Sequence, residues 1–222
     1  MKKFIKRLIC LFFILHSSSL ILMTGCGRLL SVAVAKTVGY DVPAKYAPVK
    51  TDTMLVLAED FQNPGSSSTD CEQLSRYVCQ ELERKKVAPL IDPTAAMDLR
   101  SRDPSSYRNM SITQIGQTLG ARQVMYIALL SNDVDSADGG EFRRAEAAAR
   151  VRIVDVQTGQ TRWPIEASSG YPVIARTPVV KITDENSESI LRRALQQRLG
   201  GDIARLFYKY KVDEEGEGAL GE

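Results

Sequence analysis

Histidine is almost missing from this 222-residue chain, and the one present, His16, falls in an apolar stretch ahead of Cys26. Beyond that point no imidazole exists for a Ser-His or Cys-His nucleophile or for a histidine zinc site. Cysteine is also scarce, at four residues. Cys71 and Cys79 are expected on one helix, where eight residues at 1.5 Å rise set their backbones roughly 12 Å apart. A disulfide needs alpha carbons within about 7 Å, so both are expected as buried, unpaired thiols. Long apolar runs are absent but for Leu8 to Met23, which His16 and Ser17-Ser18-Ser19 interrupt. A spanning helix wants roughly 20 apolar residues without such a break. No repeat is visible.

Charge of one sign is lacking as well. The 29 basic and 27 acidic residues nearly cancel, and four of the basic ones, Lys2, Lys3, Lys6 and Arg7, precede the apolar run. Without that leader the balance is slightly acidic, a poor match for nucleic-acid binding through the phosphates, and no nucleic-acid partner is expected. A calcium loop is excluded by spacing. Asn132, Asp133, Asp135, Asp138 and Glu141 invite that reading, but counting from Asp133 the sixth place is Asp138, where glycine is needed, and the twelfth is Arg144, where glutamate is needed.

The chain does carry an export signal. Basic residues, the apolar run and Leu22-Met23-Thr24-Gly25-Cys26 follow one another, and this ending resembles the lipobox of bacterial lipoproteins. The resemblance implies cleavage before Cys26, acylation of Cys26 with fatty chains such as palmitate, and a mature protein held on a membrane by that residue. Met23 stands where the family usually has leucine, which implies slow cleavage or an uncut anchor. A transmembrane anchor and an ordinary secretory signal are the alternatives. Gly27 avoids the aspartate that, in the family, retains lipoproteins in the inner membrane, so the resemblance favours the outer membrane with the domain facing the periplasm.

Four segments are expected: a signal over 1–25, a lipidated tether over 26–52 whose Tyr40 to Tyr46 part can dock on the domain surface, an α/β envelope domain over 53–210 and a disordered acidic tail over 211–222. About 26 residues of flexible tether average roughly 25 to 30 Å end to end. The expected fold is a mixed β-sheet of about five strands with helices packed on its faces. Met54 to Ala58 is an unbroken apolar run, hence a strand buried on both faces. Thr69-x-x-Glu72 has capping-box form and opens a helix whose Cys71, Leu74, Val78 and Leu82 share a stripe. A strand over Val87 to Ile91, a short helix over 94–101 and a loop at Asp103-Pro104-Ser105-Ser106 follow. Ser111, with Gln114, opens a second helix that Gly120 stops.

Val124 to Leu130 is apolar on both faces and belongs at the sheet centre. Ser131 to Glu141 reads as an acidic turn. Ala145 to Val156 forms a long strand facing inward through Ala147, Ala149, Val151 and Ile153, with a face swap at Val154 and Val156 that indicates a bulge or burial of the strand's end on both sides. Thr158-Gly159 turns into an edge strand over Thr161 to Ser168, edge because Pro164 cannot donate. An irregular segment with Pro172 and Pro178 leads to a long helix capped at Asn186 or Ser187. Its stripe includes Ile190, Leu191, Ala194, Leu195, Leu199, Ile203 and Phe207, with a soft point at Gly200-Gly201.

Two joints are more particular than the element order. Ile115 to Tyr126, with Leu119-Gly120-Ala121 between helix and strand, and Val151 to Gln160, with Asp155-x-x-Thr158-Gly159 at a hairpin, resemble a group of bacterial envelope domains. The group includes the amino-terminal domain of TolB, the curli secretion lipoprotein CsgG and LpoB-type activators of penicillin-binding proteins. The resemblance spans about residues 53 to 210. It implies no catalytic residue, no cofactor and no metal ligand, and the membrane-inserting hairpins of the secretion channel have no counterpart in the short acidic stretch 131–141.

The function expected is therefore non-enzymatic: a lipid-anchored binding or assembly module for another envelope protein in cell-wall synthesis, transport or secretion. Candidate partner-binding residues are Arg150 and Arg152, which share a strand face by the period of two, and Trp163 with Tyr171 as an aromatic pair. Arg143 and Arg144 add charge nearby. The plainer readings are a solvated strand face and aromatic packing at the core edge. Two other functions stay open. One is a subunit of an oligomeric secretion or trafficking assembly, and the other is a carboxylate enzyme on envelope glycan using Asp60, Asp92 or Asp155.

Overall fold

The structure is a computed structural model that describes residues 39–136, 141–181 and 185–212. The leader, Cys26 and the acidic tail from Asp213 onward lie outside the described residues. In chain order the elements are β1 (Tyr40–Val42), β2 (Met54–Asp60), α1 (Thr69–Arg84), α2 (Thr94–Arg102), α3 (Pro104–Asn109), α4 (Ile112–Thr118) and β3 (Gln123–Ser136). Then come β4 (Phe142–Asp155), β5 (Thr161–Trp163), β6 (Tyr171–Arg176), β7 (Val180–Lys181), α5 (Glu185–Arg205) and β8 (Tyr210–Val212).

The chain divides into two units, residues 1–42 with 211–222, and residues 43–210. The described residues of the first are 39–42 and 211–212, and β1 pairs with β8 in a two-stranded ribbon. In the second, the tether expected up to residue 52 gives way to packed chain at Pro43. Lys45 and Tyr46 donate their amides to the Leu206 carbonyl at 2.8 and 3.0 Å. The fully buried Gln123 donates through Nε2 to the carbonyls of Val49 and Asp52 at 3.1 and 3.0 Å.

A six-stranded sheet runs β2-β3-β4, with β5, β6 and β7 all paired to β4. β2 is parallel to β3, and β3 is antiparallel to β4. β3 therefore sits centrally, as its two apolar faces required. Helices α1 and α5 pack together and cover one face, over Met54, Val56, Met125, Ile127, Val151 and Ile153. On the other face α2, α3 and α4 close a smaller core around Leu55, Leu57, Tyr107, Ile115, Val124 and Val156. Leu74, Leu82, Leu195 and Leu199 are wholly buried, so truncating any one to alanine costs about 2–5 kcal/mol. Among the described residues no helix is long and apolar enough to cross a membrane.

Several local expectations are corrected. Ser68, not Thr69, caps α1, its side chain accepting from the Cys71 amide, while Glu72 accepts from the Ser67 hydroxyl. The helix ends with Lys86 at φ +52° and the paired bonds Val87 to Leu82 and Lys86 to Glu83 that such a residue permits. Val87 to Ile91 makes only a single bridge, Leu90 to Met54, because Pro89 has no amide to continue a ladder. Asp103-Pro104 begins α3: Asp103 caps it by accepting from the Ser106 amide, and Pro104 sits in the first turn, where its missing amide costs nothing.

The capping box at Ser111 and Gln114 is present. Ser131 to Ser136 continues β3, so the expected turn is part of a long hairpin whose residues 137–140 lie outside the described ones. The face swap of β4 is borne out by a register shift between Ile153 and Val154 and by burial of Val154 and Val156. The strand expected over Thr161 to Ser168 stops at Trp163, before Pro164. The segment expected to be irregular contains β6, with Val173 and Ala175 buried and Pro172 and Ile174 exposed. Asn186 and Ser187 lie inside α5, and its Ile190 and Ala194 point to solvent. The helix runs through Gly200-Gly201 without interruption.

Candidate partner-binding surface

The period of two along β4 sorts its side chains. Ala147, Ala149, Val151 and Ile153 enter the larger core, while Ala148, Arg150 and Arg152 take the opposite face. That opposite face is roofed unevenly. The smaller core reaches β2 and the beginning of β3, and no residue of β6 belongs to it. Register places Arg150 between Ala128 of β3 and Pro172 of β6, and Ala148 beside Ile174. Ile174 is 56% exposed. The result is a stretch of sheet with apolar and cationic side chains facing outward.

Its charges are unequally matched. Arg176 holds Glu146 with two bonds, at 2.6 and 3.2 Å, which keeps the Glu146 carboxyl below its ordinary range. Arg152 lies over the Tyr126 ring at 5.0 Å and so is half-buried as a cation on an aromatic face. Arg150 is exposed and has no hydrogen-bond or ionic partner among the described residues. Such a cation, flanked by small apolar groups, can dock an acidic side chain without first breaking an internal pair.

Trp163 and Tyr171 are brought together, but not with the arginines. Trp163 pairs across from Ile153 and Tyr171 from Val151, so both take the face covered by α1 and α5. Their rings stack at 5.2 Å, Tyr46 stacks on Trp163 at 5.9 Å and Phe207 meets Trp163 edge-on at 5.5 Å. Trp163 is thus engaged on several sides and is half-buried. The four candidate residues split into an open pair, Arg150 and Arg152, and an aromatic cluster at the edge of the larger core. Tyr46, in the part of the tether expected to dock on the domain surface, does pack there, but its place on Trp163 had no periodic signal.

The candidate carboxylates are held by turns. Asp60 accepts the amides of Gln62 and Asn63, and Asp92 accepts the amide and hydroxyl of Thr94. Asp155 accepts the Thr158 amide at 2.8 Å and is bound by Arg162, which also reaches Asp52 at 2.9 Å. The Thr158 amide and the guanidinium lower the Asp155 carboxyl to about 2.

Burial pushes the thiols of Cys71 and Cys79 up to about 11 and about 12, and both are free and interior. Asn132 donates to Asp70 at 2.7 Å, and among the described residues no three metal-ligating side chains come together. Sequence reasoning missed one further feature, the buried polar residues Glu59, Arg100 and Tyr107 with the half-buried Tyr126. Glu59 extends the Leu55, Leu57 alternation of β2, which was its only signal.

No protein-family model matches the sequence, and no curated protein matches it. Solved structures do align with it. Lipoprotein GNA1162 from Neisseria meningitidis aligns at 13% identity over 64% of this chain and 94% of its own, with a TM-score of 0.44. The PelC dodecamer from Paraburkholderia phytofirmans aligns at 13% identity over 77% and 99%, with a TM-score of 0.37. The LpoB C-terminal domain from Salmonella enterica aligns at 13% identity over 58% and 84%, with a TM-score of 0.36. With TM-scores below 0.5, these likenesses assign neither an activity nor a partner.

Proposed function

We propose that this chain is a lipid-anchored protein of the bacterial envelope, whose domain binds another envelope protein and carries out no chemistry of its own. The observation that carries the reading is Arg150, an exposed cation without a partner among the described residues, on the unroofed part of the sheet. The lack of any histidine after His16 and the commitment of Asp60, Asp92 and Asp155 to turns support a binding role over catalysis. The leader supports the anchor. Acylated Cys26 confines the domain to one membrane face, the outer membrane being favoured by Gly27, and the following chain sets how far the domain reaches.

Two measurements on the full-length protein in its own envelope test this. Mass spectrometry of the peptide beginning at Cys26 should find diacylglycerol and an amide-linked fatty chain; a bare thiol there rejects the anchor. A photo-crosslinking residue at Ile174 should capture a single envelope protein, and the adduct should vanish when Arg150 and Arg152 are both changed to glutamate. No adduct, or one indifferent to the charge reversal, rejects the docking face.

A further inference from the structure

A cavity of about 330 Å³ opens between the Gly65–Ser67 loop, the first turn of α1 and the helices α2 and α3. That size falls within the range of small-molecule sites, ~300–1,000 Å³. Arg100 forms part of its wall with only 10% of its side chain exposed. The guanidinium donates through Nη1 to the Ser66 carbonyl at 2.8 Å and lies over the Tyr107 ring at 5.3 Å. Its Nε and the Tyr107 hydroxyl are buried and, among the described residues, make no hydrogen bond of ordinary geometry, the guanidinium lying close enough to that hydroxyl to act on its ionisation.

The nearest carboxylate, Glu72, stands 3.8 Å from Nη1. A charge-assisted bond would be about 2.7–2.9 Å, so the buried cation is compensated at long range only. Arg108 adds a second cation to the wall, its Nε turned to the Pro104 carbonyl at 3.3 Å. Gly65, at φ +75°, lets the loop come close to it: a β-carbon there would sit 3.1 Å from Arg108 Cγ.

We infer that this cavity binds a small monocarboxylate with an apolar body. Among the residues that line the cavity, Arg100 and Arg108 stand against the single carboxylate of Glu72, while the buried Glu59 acts on Arg100 from behind the wall; one carboxylate balances the lining itself. A dianion such as phosphate would leave negative charge in excess, close to the buried Glu59. Met97 and Pro104 supply apolar wall for the rest of the ligand. The planar fork of a guanidinium suits a carboxylate in particular. The site is separate from the open sheet face and does not depend on what docks there.

The test uses the full-length protein in detergent, with arginine labelled with nitrogen-15, titrated with benzoate, its neutral isostere benzamide, and inorganic phosphate. Benzoate should bind saturably and shift the Arg100 Nε–H resonance. Benzamide should bind about tenfold more weakly or less, equivalent to about 1.4 kcal/mol, and phosphate should also bind more weakly than benzoate. Arg108→Gln, an exposed position, should weaken benzoate by about tenfold, while Arg102→Gln on α2 should leave it unchanged. Equal binding of benzoate and benzamide, a preference for phosphate, no saturable shift, or an unaffected Arg108→Gln protein would each overturn the assignment.

Discussion

Gly200 of α5 lies so close to Tyr77 of α1 that a β-carbon built on the glycine falls 2.8 Å from the tyrosine Cβ. The two helices that cover the larger core meet at this point, and the absence of a side chain sets how near they come. The neighbouring Gly201 has no atom within 4 Å of the same position.

The pair should therefore respond oppositely to alanine. Gly200→Ala should destabilise the domain by about 1–3 kcal/mol through overpacking, more than the gain of about 1 kcal/mol in helix propensity. Gly201→Ala keeps that gain and should stabilise by up to about 1 kcal/mol. Urea unfolding of both variants measures the difference. A shift of the same sign in both would mean that the helix contact does not limit this position.

Lys86 occupies the left-handed region at φ +52°, in the place after α1 where glycine is normally found. Its side chain is exposed, so replacing it removes backbone strain and little else. Lys86→Gly should stabilise by about 1 kcal/mol, raising the melting temperature by about 2–4 °C for a domain of this size. An unchanged or lowered melting temperature would show that Lys86 contributes contacts outweighing the strain.

Acid should weaken the hairpin after β4. The Asp155 carboxyl is held at about 2 in the folded state, first by the Thr158 amide and then by Arg162. A depressed carboxylate contributes stability in full above its unfolded value, about 3.9, and loses it as pH falls from there through about 2. Asp155→Asn should cost about 1 kcal/mol at pH 7, a figure reduced for solvent screening because Arg162 is a quarter exposed. It should also flatten the pH dependence in that window. Stability curves of both proteins from pH 7 to pH 2 that run parallel throughout would contradict this.

Glu59 should act in the opposite sense. Burial raises its carboxyl, and hydrogen bonds from the Tyr126 hydroxyl and the Gly65 amide, with the charge of Arg100, compensate in part. A raised carboxylate means that the folded state binds more protons, so stability falls as pH rises from the unfolded value of about 4.3. Glu59→Gln keeps an acceptor for Tyr126 and removes the titration. The variant should be at least as stable as the parent at pH 7 and should lack the parent's gain in stability as pH falls to the unfolded value of about 4.3. A variant that keeps that gain would assign it to another group.

Elements whose signal is local could be read from the residues in order. The runs of β2 and β3, the stripe of α1 and the capping box of α4 are each contained in fewer than twenty consecutive residues. Proline misled in both directions: Asp103-Pro104 reads as a loop and starts a helix, and Pro172 hid the alternation of Tyr171, Val173 and Ala175 in β6. The candidate site was legible to the same degree. Arg150 and Arg152 share a face because strand geometry requires it, but the partners of Trp163 and Tyr171 across β4 depend on register, which no local pattern specified.

By itself, the amino-acid order determined that no histidine follows His16 and that α and β segments alternate over the folded part, because residue type and periodicity are properties of neighbours along the chain. Only the tertiary structure decided that Tyr46 stacks on Trp163, that Arg150 stays uncovered while Leu55 is roofed, and that Arg100 is buried beside a cavity. Those outcomes depend on which segments, some more than a hundred residues apart, pack against one another, and side-chain burial follows from that packing.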